Sequence, residues 1–308
     1  MSSKPSVSYK PSVAVLGTSG FLGEPVLAAF SRPDLVDKIQ FPVKALTTNI
    51  RQKRDNSTVQ FVEGSITLAN KQAIIEELAG TDVIIELLPA DLGIFRVVEE
   101  IVKEIQPKVF IPSQFGVDLE QVQKNIPDFL SVKSDHSTKI REFGVKVVDI
   151  YTSLFAIPES ALYEVVGQVG INKEENTATL YGPPQTKVAI SFLPDIGNAV
   201  ASLASIEPLK LPNSIRIQSD EVSYADIINR YEVDHNIKLK VNQIDGQQTL
   251  KSAQEKYSKL KTFGPGDFFF YLTLFGGLGT DNGLSYSSND DELVNPNGQL
   301  WSWSKFNN

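Results

Sequence analysis

The chain has 308 residues, 41% hydrophobic and 21% charged, with 29 basic against 37 acidic side chains and a formal charge of −8. That length suggests about two domains and allows a core without staples. The absence of cysteine excludes disulfides, thiolate–metal sites and a cysteine nucleophile, and the acidic balance without a long basic run argues against direct nucleic-acid binding.

Residues 1–11 read as a flexible polar leader without the apolar stretch of a secretory signal. The longest apolar run, Phe268–Phe275, is far shorter than the ~20 residues of a spanning helix. A cytoplasmic protein that does not engage a membrane is expected. Val13–Leu16 predicts a buried strand, Gly17–Gly23 a turn, and Phe21–Phe30 a helix. Strands follow at Val43–Leu46 and Val59–Val62, then a helix over Asn70–Leu78 with Gly80 as its C-cap. Asp82–Leu88 predicts a fourth strand. Leu92–Ile105 predicts a helix, with Ile94, Val97, Val98, Ile101, Val102 and Ile105 at intervals of three and four. A fifth strand falls at Val109–Ile111, a helix from about Asp128 to Phe143, and a sixth strand at Val145–Ile150.

Strands alternating with helices, each strand nearly continuously apolar, indicate an α/β fold: a Rossmann-type doubly wound parallel sheet covered on both faces. After residue 155 the rhythm changes. A strand is expected at Thr177–Leu180, with helices over Asp195–Ser205, from the Ser223 cap to His235, and over Gln247–Lys261. The last fifty residues, rich in Gly, Asn, Asp, Ser and aromatics, are expected to wrap without regular elements. The division expected is a dinucleotide-binding domain at 1–155, with 187–206 packing back on it. Residues 156–186 and 207–308 would form a smaller α+β C-terminal substrate domain.

Between the first strand and helix lies Gly17-Thr18-Ser19-Gly20-Phe21-Leu22-Gly23. Glycines at this spacing permit a tight turn, close backbone approach to a pyrophosphate, and close helix–strand packing. The helix start adds N–H groups that attract the phosphates. NAD binders carry an acid at the end of the second strand for the ribose 2′-hydroxyl. Here that strand runs out as Thr47-Thr48-Asn49, followed by Arg51, Lys53 and Arg54. An arginine fork suits a 2′-phosphate. NADP(H) is therefore the cofactor expected, with Arg51 its discriminating residue; the alternative is a solvated basic loop.

Two further segments carry a resemblance. Phe110-Ile-Pro-Ser-Gln-Phe-Gly-Val-Asp118 resembles the F-x-P-S-E-F-G-x-D segment of the isoflavone reductase-like, NmrA-like branch of the atypical short-chain dehydrogenases. Phe129–Lys133, leading into Lys139–Gly144, is similar to that family's lysine-bearing helix. The resemblance spans residues 13–206, and the tail from Ser287 to Trp303 is similar to that of fungal members. It implies an NADPH-dependent reductase of small, often aromatic substrates, with Lys133 as the catalytic lysine and proton relay. Ser113, Phe115 and Gly116 would form the wall beside the nicotinamide, with Phe155 also at the cofactor. Gln114, Gly116, Thr152 and Ser153 would border the substrate. These positions lie beyond the carboxyl ends of the fifth and sixth strands, where open parallel sheets bind ligands.

The departures bear on turnover. The Tyr-x-x-x-Lys dyad of ordinary short-chain dehydrogenases reads Phe129-x-x-x-Lys133 here, and phenylalanine has no proton to give. Gln114 replaces a glutamate, Ser65 stands where the family has aspartate after the third strand, and Glu86-Leu-Leu-Pro89 replaces small residues after the fourth. Glu86 reads as a pocket carboxylate or as a strand-end residue facing solvent, and the second is the one expected, since buried unpaired carboxylates are rare. His136, three residues after Lys133, can share its helix face and relay protons, but a surface position is expected; His235 is expected at a helix C-terminus. The Phe268–Phe275 cluster reads as core or as pocket lining. Two histidines and no cysteine leave little basis for a catalytic transition metal, and no G-x-S-x-G elbow supports a hydrolase. Three functions stay open: the reductase, an NADP(H)-sensing regulator that contacts a protein partner, and a scaffold without dinucleotide affinity. The partners expected are a small-molecule substrate and, for a sensor, a protein; the chain would be a monomer or homodimer.

Overall fold

The computed structural model describes residues 9–157 and 170–306. Most of the expected leader, residues 1–8, lies outside the described residues, as does 158–169 within the expected substrate domain. The leader's last residues are tied down: Gln40 donates from Nε2 to the Lys10 carbonyl at 2.6 Å and from its backbone N–H to the Pro11 carbonyl at 2.9 Å.

Six strands make one parallel sheet: β1 (Ser12–Leu16), β2 (Gln40–Thr47), β3 (Val59–Glu63), β4 (Val83–Glu86), β5 (Val109–Ile111) and β6 (Lys146–Val147). Their order, β3-β2-β1-β4-β5-β6, is the doubly wound order of dinucleotide-binding sheets, with the reversal between β1 and β4. The alternation of side chains explains why the strands read as continuous apolar runs. Val13, Val15, Val83, Ile85, Val109 and Ile111 fill one buried layer. Ala14, Leu16, Ile84 and Phe110 fill the opposite one.

Helices α1 (Gly23–Ala29), α2 (Lys71–Glu77), α3 (Leu92–Ile105), α5 (Ser131–Glu142) and α6 (Leu193–Ala204) flank the sheet, whereas α4 (Leu119–Asn125) buries Leu119 and Val122 in a separate core with Leu154, Ile190 and Phe275. α1 and α6 close the first layer through Val26, Leu27, Ile196 and Val200. α2, α3 and α5 close the second through Ile74, Val98, Ile101 and Ile140. α3 starts where the Asp91 carboxylate accepts from Ile94 N at 2.9 Å.

Beyond β6, β7 (Asp149–Tyr151) and β8 (Leu154–Phe155) lead into small sheets with β9 (Ile171–Asn172), β10 (Thr177–Leu180), β11 (Lys187–Ser191), β12 (Ser214–Arg216), β13 (Asp220–Ser223) and β14 (Lys240–Gln243). Helices α7 (Tyr224–His235), α8 (Gly246–Leu260), α9 (Asp267–Gly277) and α10 (Asp291–Val294) complete this smaller α+β part. Among the described residues no helix is long and apolar enough to cross a membrane.

Four local expectations are corrected. The helix expected from Asp128 begins only at Ser131, because Asp128 and Leu130 take φ of 65° and 55°. The sixth strand splits at Val148: β6 pairs with β5, whereas β7 pairs with β12. α4, unexpected from periodicity, is short and starts at the Asp118 cap, whose carboxylate accepts from Gln121 N at 3.2 Å. The last fifty residues do not simply wrap. The phenylalanine run forms α9, with Tyr271, Leu272, Leu274 and Phe275 buried. A helix apolar on all sides leaves no amphipathic period in the sequence, which is why it reads as irregular.

Candidate active site

β1 delivers the chain to Gly17, whose φ of 91° is left-handed and whose added Cβ would meet the Leu87 carbonyl oxygen at 2.9 Å. A Cβ on Gly23 would sit 2.4 Å from the Thr18 carbonyl oxygen. These two glycines let the strand turn tightly into α1. Gly20 differs, since nothing lies within 4 Å of its would-be Cβ. Two glycines thus serve packing, and the third leaves an open floor. Beside it Thr18 is buried, and its hydroxyl has no hydrogen-bond partner among the described residues, a group that a ligand oxygen would satisfy.

Around this turn lies a cleft of about 570 Å³, within the range of cofactor sites. Its walls are Gly17–Leu22 from the turn, Leu46–Thr48 from the end of β2, Gly64–Ile66 after β3, Leu87–Pro89 after β4, and Ser113, Phe115 and Phe155. All project from the carboxyl ends of the strands. Phe21 stands at the mouth, 67% exposed. Arg51 is not brought into the wall. It is exposed on the 3-10 turn Ile50–Gln52, just past the wall residue Thr48, while Lys53 lies over the Phe61 ring at 5.5 Å.

Phe21, Phe115 and Phe155 also line a second cavity of about 400 Å³. Its wall is apolar, with contributions from Val117, Leu119, Phe268, Leu272 and Leu284, except for Gln114, Lys133 and Ser153. The phenylalanine cluster therefore divides: Phe268 lines this cavity, whereas Tyr271 and Phe275 are core. Phe129 does not line it; the buried ring packs among Phe263, Phe268, Tyr271 and Phe275.

Gln114 holds the lysine helix in place. Its Nε2 donates to the Lys133 carbonyl at 2.6 Å and to Ser137 Oγ at 2.8 Å, and Ser137 donates to Asp149 Oδ1 at 2.7 Å. Thr152 stands behind the wall, its Oγ1 accepting from Gly116 N at 3.0 Å. Gly116, at φ 121°, accepts in turn from the N–H groups of Thr152 and Ser153. Burial brings the Lys133 ammonium down to a pKa of about 8, with Glu86 pulling the other way. At neutral pH this lysine can both hold and release a proton.

Two residues stand elsewhere than expected. Glu86 does not face solvent: it is fully buried, and its Oε2 accepts from Ser113 N at 3.1 Å. β4 is sandwiched between β1 and β5 and covered on both faces, so its last residue has no route to water. His136 is not on the surface either, being 2% exposed and stacked on Phe95 at 4.1 Å. Its Nδ1 lies 2.8 Å from Glu99 Oε1 and its Nε2 3.4 Å from Glu86 Oε2. α5 turns this side toward α3 and the sheet, and the carboxylates compensate the buried ring. Burial alone would lower the histidine's pKa; Glu86 and Glu99 outweigh it and hold it above the ordinary 6.5. Glu99 carries no mark in the sequence beyond flanking the apolar stripe of α3. His235 ends α7 as expected, stacked on Tyr231 at 4.1 Å.

The model of the NmrA-like family matches residues 9–262. Isoeugenol synthase 1 of Petunia hybrida is 22% identical over 259 residues, covering 80% of this chain and 77% of its own. Among solved structures, isoflavone reductase is similar with a TM-score of 0.61 at 17% identity, covering 86% of each chain. The complex of leucoanthocyanidin reductase with NADPH from Vitis vinifera is similar with a TM-score of 0.59 at 17% identity, over 87% of this chain and 86% of that one.

Proposed function

The chain belongs to the NmrA-like family, and we propose that it is an NADPH-dependent reductase of a small aromatic or conjugated compound. The observation that carries this reading is the adjacency of the two cavities. A cleft with an open glycine floor and an unsatisfied threonine hydroxyl shares three phenylalanines with an apolar cavity bearing a lysine. The names of similar proteins, two of them reductases and one solved with NADPH, support the same reading.

In this reading the turn from Gly17 to Leu22 and the Thr18 hydroxyl hold the diphosphate, and Arg51 reaches the 2′-phosphate from outside the wall. Ser113, Phe115 and Phe155 flank the nicotinamide, which supplies the hydride when the cofactor is bound. The apolar wall of the second cavity takes the substrate's ring and excludes water. Gln114 fixes the backbone of Lys133, and the lysine delivers the balancing proton. With phenylalanine at 129, no tyrosine shares that task.

The test mixes the purified protein with NADPH and an isoflavone, a leucoanthocyanidin or trans-cinnamaldehyde, and follows loss of NADPH absorbance. The reading predicts substrate-dependent consumption with at least one compound. Tight NADPH binding with no consumption across the panel would instead favour the redox-sensing regulator.

A further inference from the structure

We propose that the lysine cavity is a binding site for aromatic carboxylates, with the ring against the apolar wall and the carboxylate on the Lys133 ammonium. The inhibition that follows rests on the reductase reading above; the binding itself does not.

The cavity holds about 400 Å³, at the small end of ligand sites and enough for a ring with a short side chain. Phe21, Phe115, Phe155, Phe268 and Leu272 give it an apolar lining, and among the described residues that line it Lys133 is the one charged side chain. It is also the one side-chain donor left free there. Gln114 uses both Nε2 hydrogens on the Lys133 carbonyl and Ser137 Oγ, and Ser153 Oγ donates to the Leu284 carbonyl at 2.9 Å. Lys133 Nζ makes no hydrogen bond or ion pair among the described residues. Glu86 from β4 is the charged group that acts on the ammonium, but it does not line the cavity, and burial outweighs its effect. α4, α9 and the segments after β5 and β7 bring no titratable side chain to the wall. An ammonium set in an apolar wall is costly until an anion reaches it.

A carboxylate supplies what the cavity lacks. It carries the opposite charge, accepts from the ammonium, and brings no donor that would need an acceptor of its own. A neutral ring compound meets the same wall but leaves the ammonium unpaired. The bound acid also holds the proton on Lys133, since a neighbouring anion favours the charged form. An acid with the skeleton of a reducible aldehyde therefore fills the cavity, keeps the lysine from giving up its proton, and blocks reduction with NADPH still in its cleft.

The test titrates the purified protein by calorimetry at neutral pH with trans-cinnamate, its neutral near-isostere trans-cinnamamide, and acetate. Cinnamate should bind about tenfold to a hundredfold more tightly than cinnamamide, the range of a hydrogen bond to a charged group. Acetate, with the charge but no ring, should bind too weakly to compete. Cinnamamide is a demanding control, because Gln114 Oε1 is a buried acceptor without a partner among the described residues, which an amide N–H would satisfy. In Lys133→Met the advantage of cinnamate should vanish while cinnamamide binds as before, which shows that the cavity survives the substitution. Lys133→Arg keeps the charge and should keep part of the advantage. As pH rises above about 8, where the free lysine loses its proton, cinnamate affinity should fall by up to about tenfold per pH unit, with cinnamamide unaffected. With NADPH and the panel compound reduced fastest, cinnamate should compete with that compound and not with NADPH. Equal binding of cinnamate and cinnamamide by wild type or by Lys133→Arg, an advantage that persists in Lys133→Met, or competition with NADPH would overturn the site. A protein that consumes no NADPH would lose the reductase reading, and the titrations alone would then decide the acid site.

Discussion

The glycine cleft and the lysine cavity adjoin, yet they are built in opposite ways. The cleft is a backbone site, shaped by where side chains are missing. Adding a Cβ at Gly17 or Gly23 would strike carbonyl oxygens of the protein itself, and Gly20 leaves the floor bare. The lysine cavity is a side-chain site: Lys133 lines its apolar wall, and on the same helix His136 is buried between the carboxylates of Glu86 and Glu99, which do not line the cavity. A backbone site depends on fit and tolerates little added volume. A buried charged site is held against an electrostatic penalty, so removing its charge can stabilise the fold while abolishing chemistry.

That contrast is sharpest under substitution. Gly23→Val places new atoms on the Thr18 carbonyl, and overpacking of this kind costs about 1–3 kcal/mol. If the turn opens to relieve the clash, NADPH affinity falls by about tenfold to a hundredfold, as titration with NADPH would measure. Affinity equal to wild type would show that the turn does not hold the cofactor. On the other side, Lys133→Met should raise stability. The folded pKa of Lys133 lies below its ordinary 10.5, so its contribution is unfavourable below the folded value and the penalty fades as pH rises from about 8 to 10.5. Removing the amine should add about 1–3 kcal/mol at neutral pH, read from urea midpoints, and the gain should shrink in alkali. A less stable Lys133→Met protein would mean that the lysine is structurally paired.

Smaller effects follow at the edges. Arg51→Ala should cut the preference for NADPH over NADH by about tenfold or less, since the guanidinium is exposed and screened. Equal loss of both cofactors would deny it the 2′-phosphate. The smallest expected effect concerns His136. Its folded pKa is raised, so the stability it contributes is complete below about 6.5 and is lost as pH rises through the folded value. In Glu99→Gln that loss should come at lower pH, as urea unfolding at a series of pH values would reveal.

The same contrast explains what could be read in the sequence. A backbone site is written locally: Val13–Leu16, the glycine spacing and the helix after it stand in one short stretch, and the sheet order follows from alternating apolar strands. Lys133 was legible through the resemblance of its helix. Glu86 and His136 could be named but not placed, because each taken alone is better satisfied in water, and only their meeting across β4, α3 and α5 allows burial. Glu99 looks like any acid on the flank of an amphipathic helix. Arg51 stands out in the sequence by its charge alone, and the fold leaves it outside the wall.

The most direct test of this division of labour is a pair of measurements on Lys133→Ala: the Kd for NADPH and the rate of substrate-dependent NADPH consumption. The account predicts an unchanged Kd, with consumption lost by about a hundredfold to ten-thousandfold. Consumption at the wild-type rate, or loss of NADPH binding together with turnover, would contradict it.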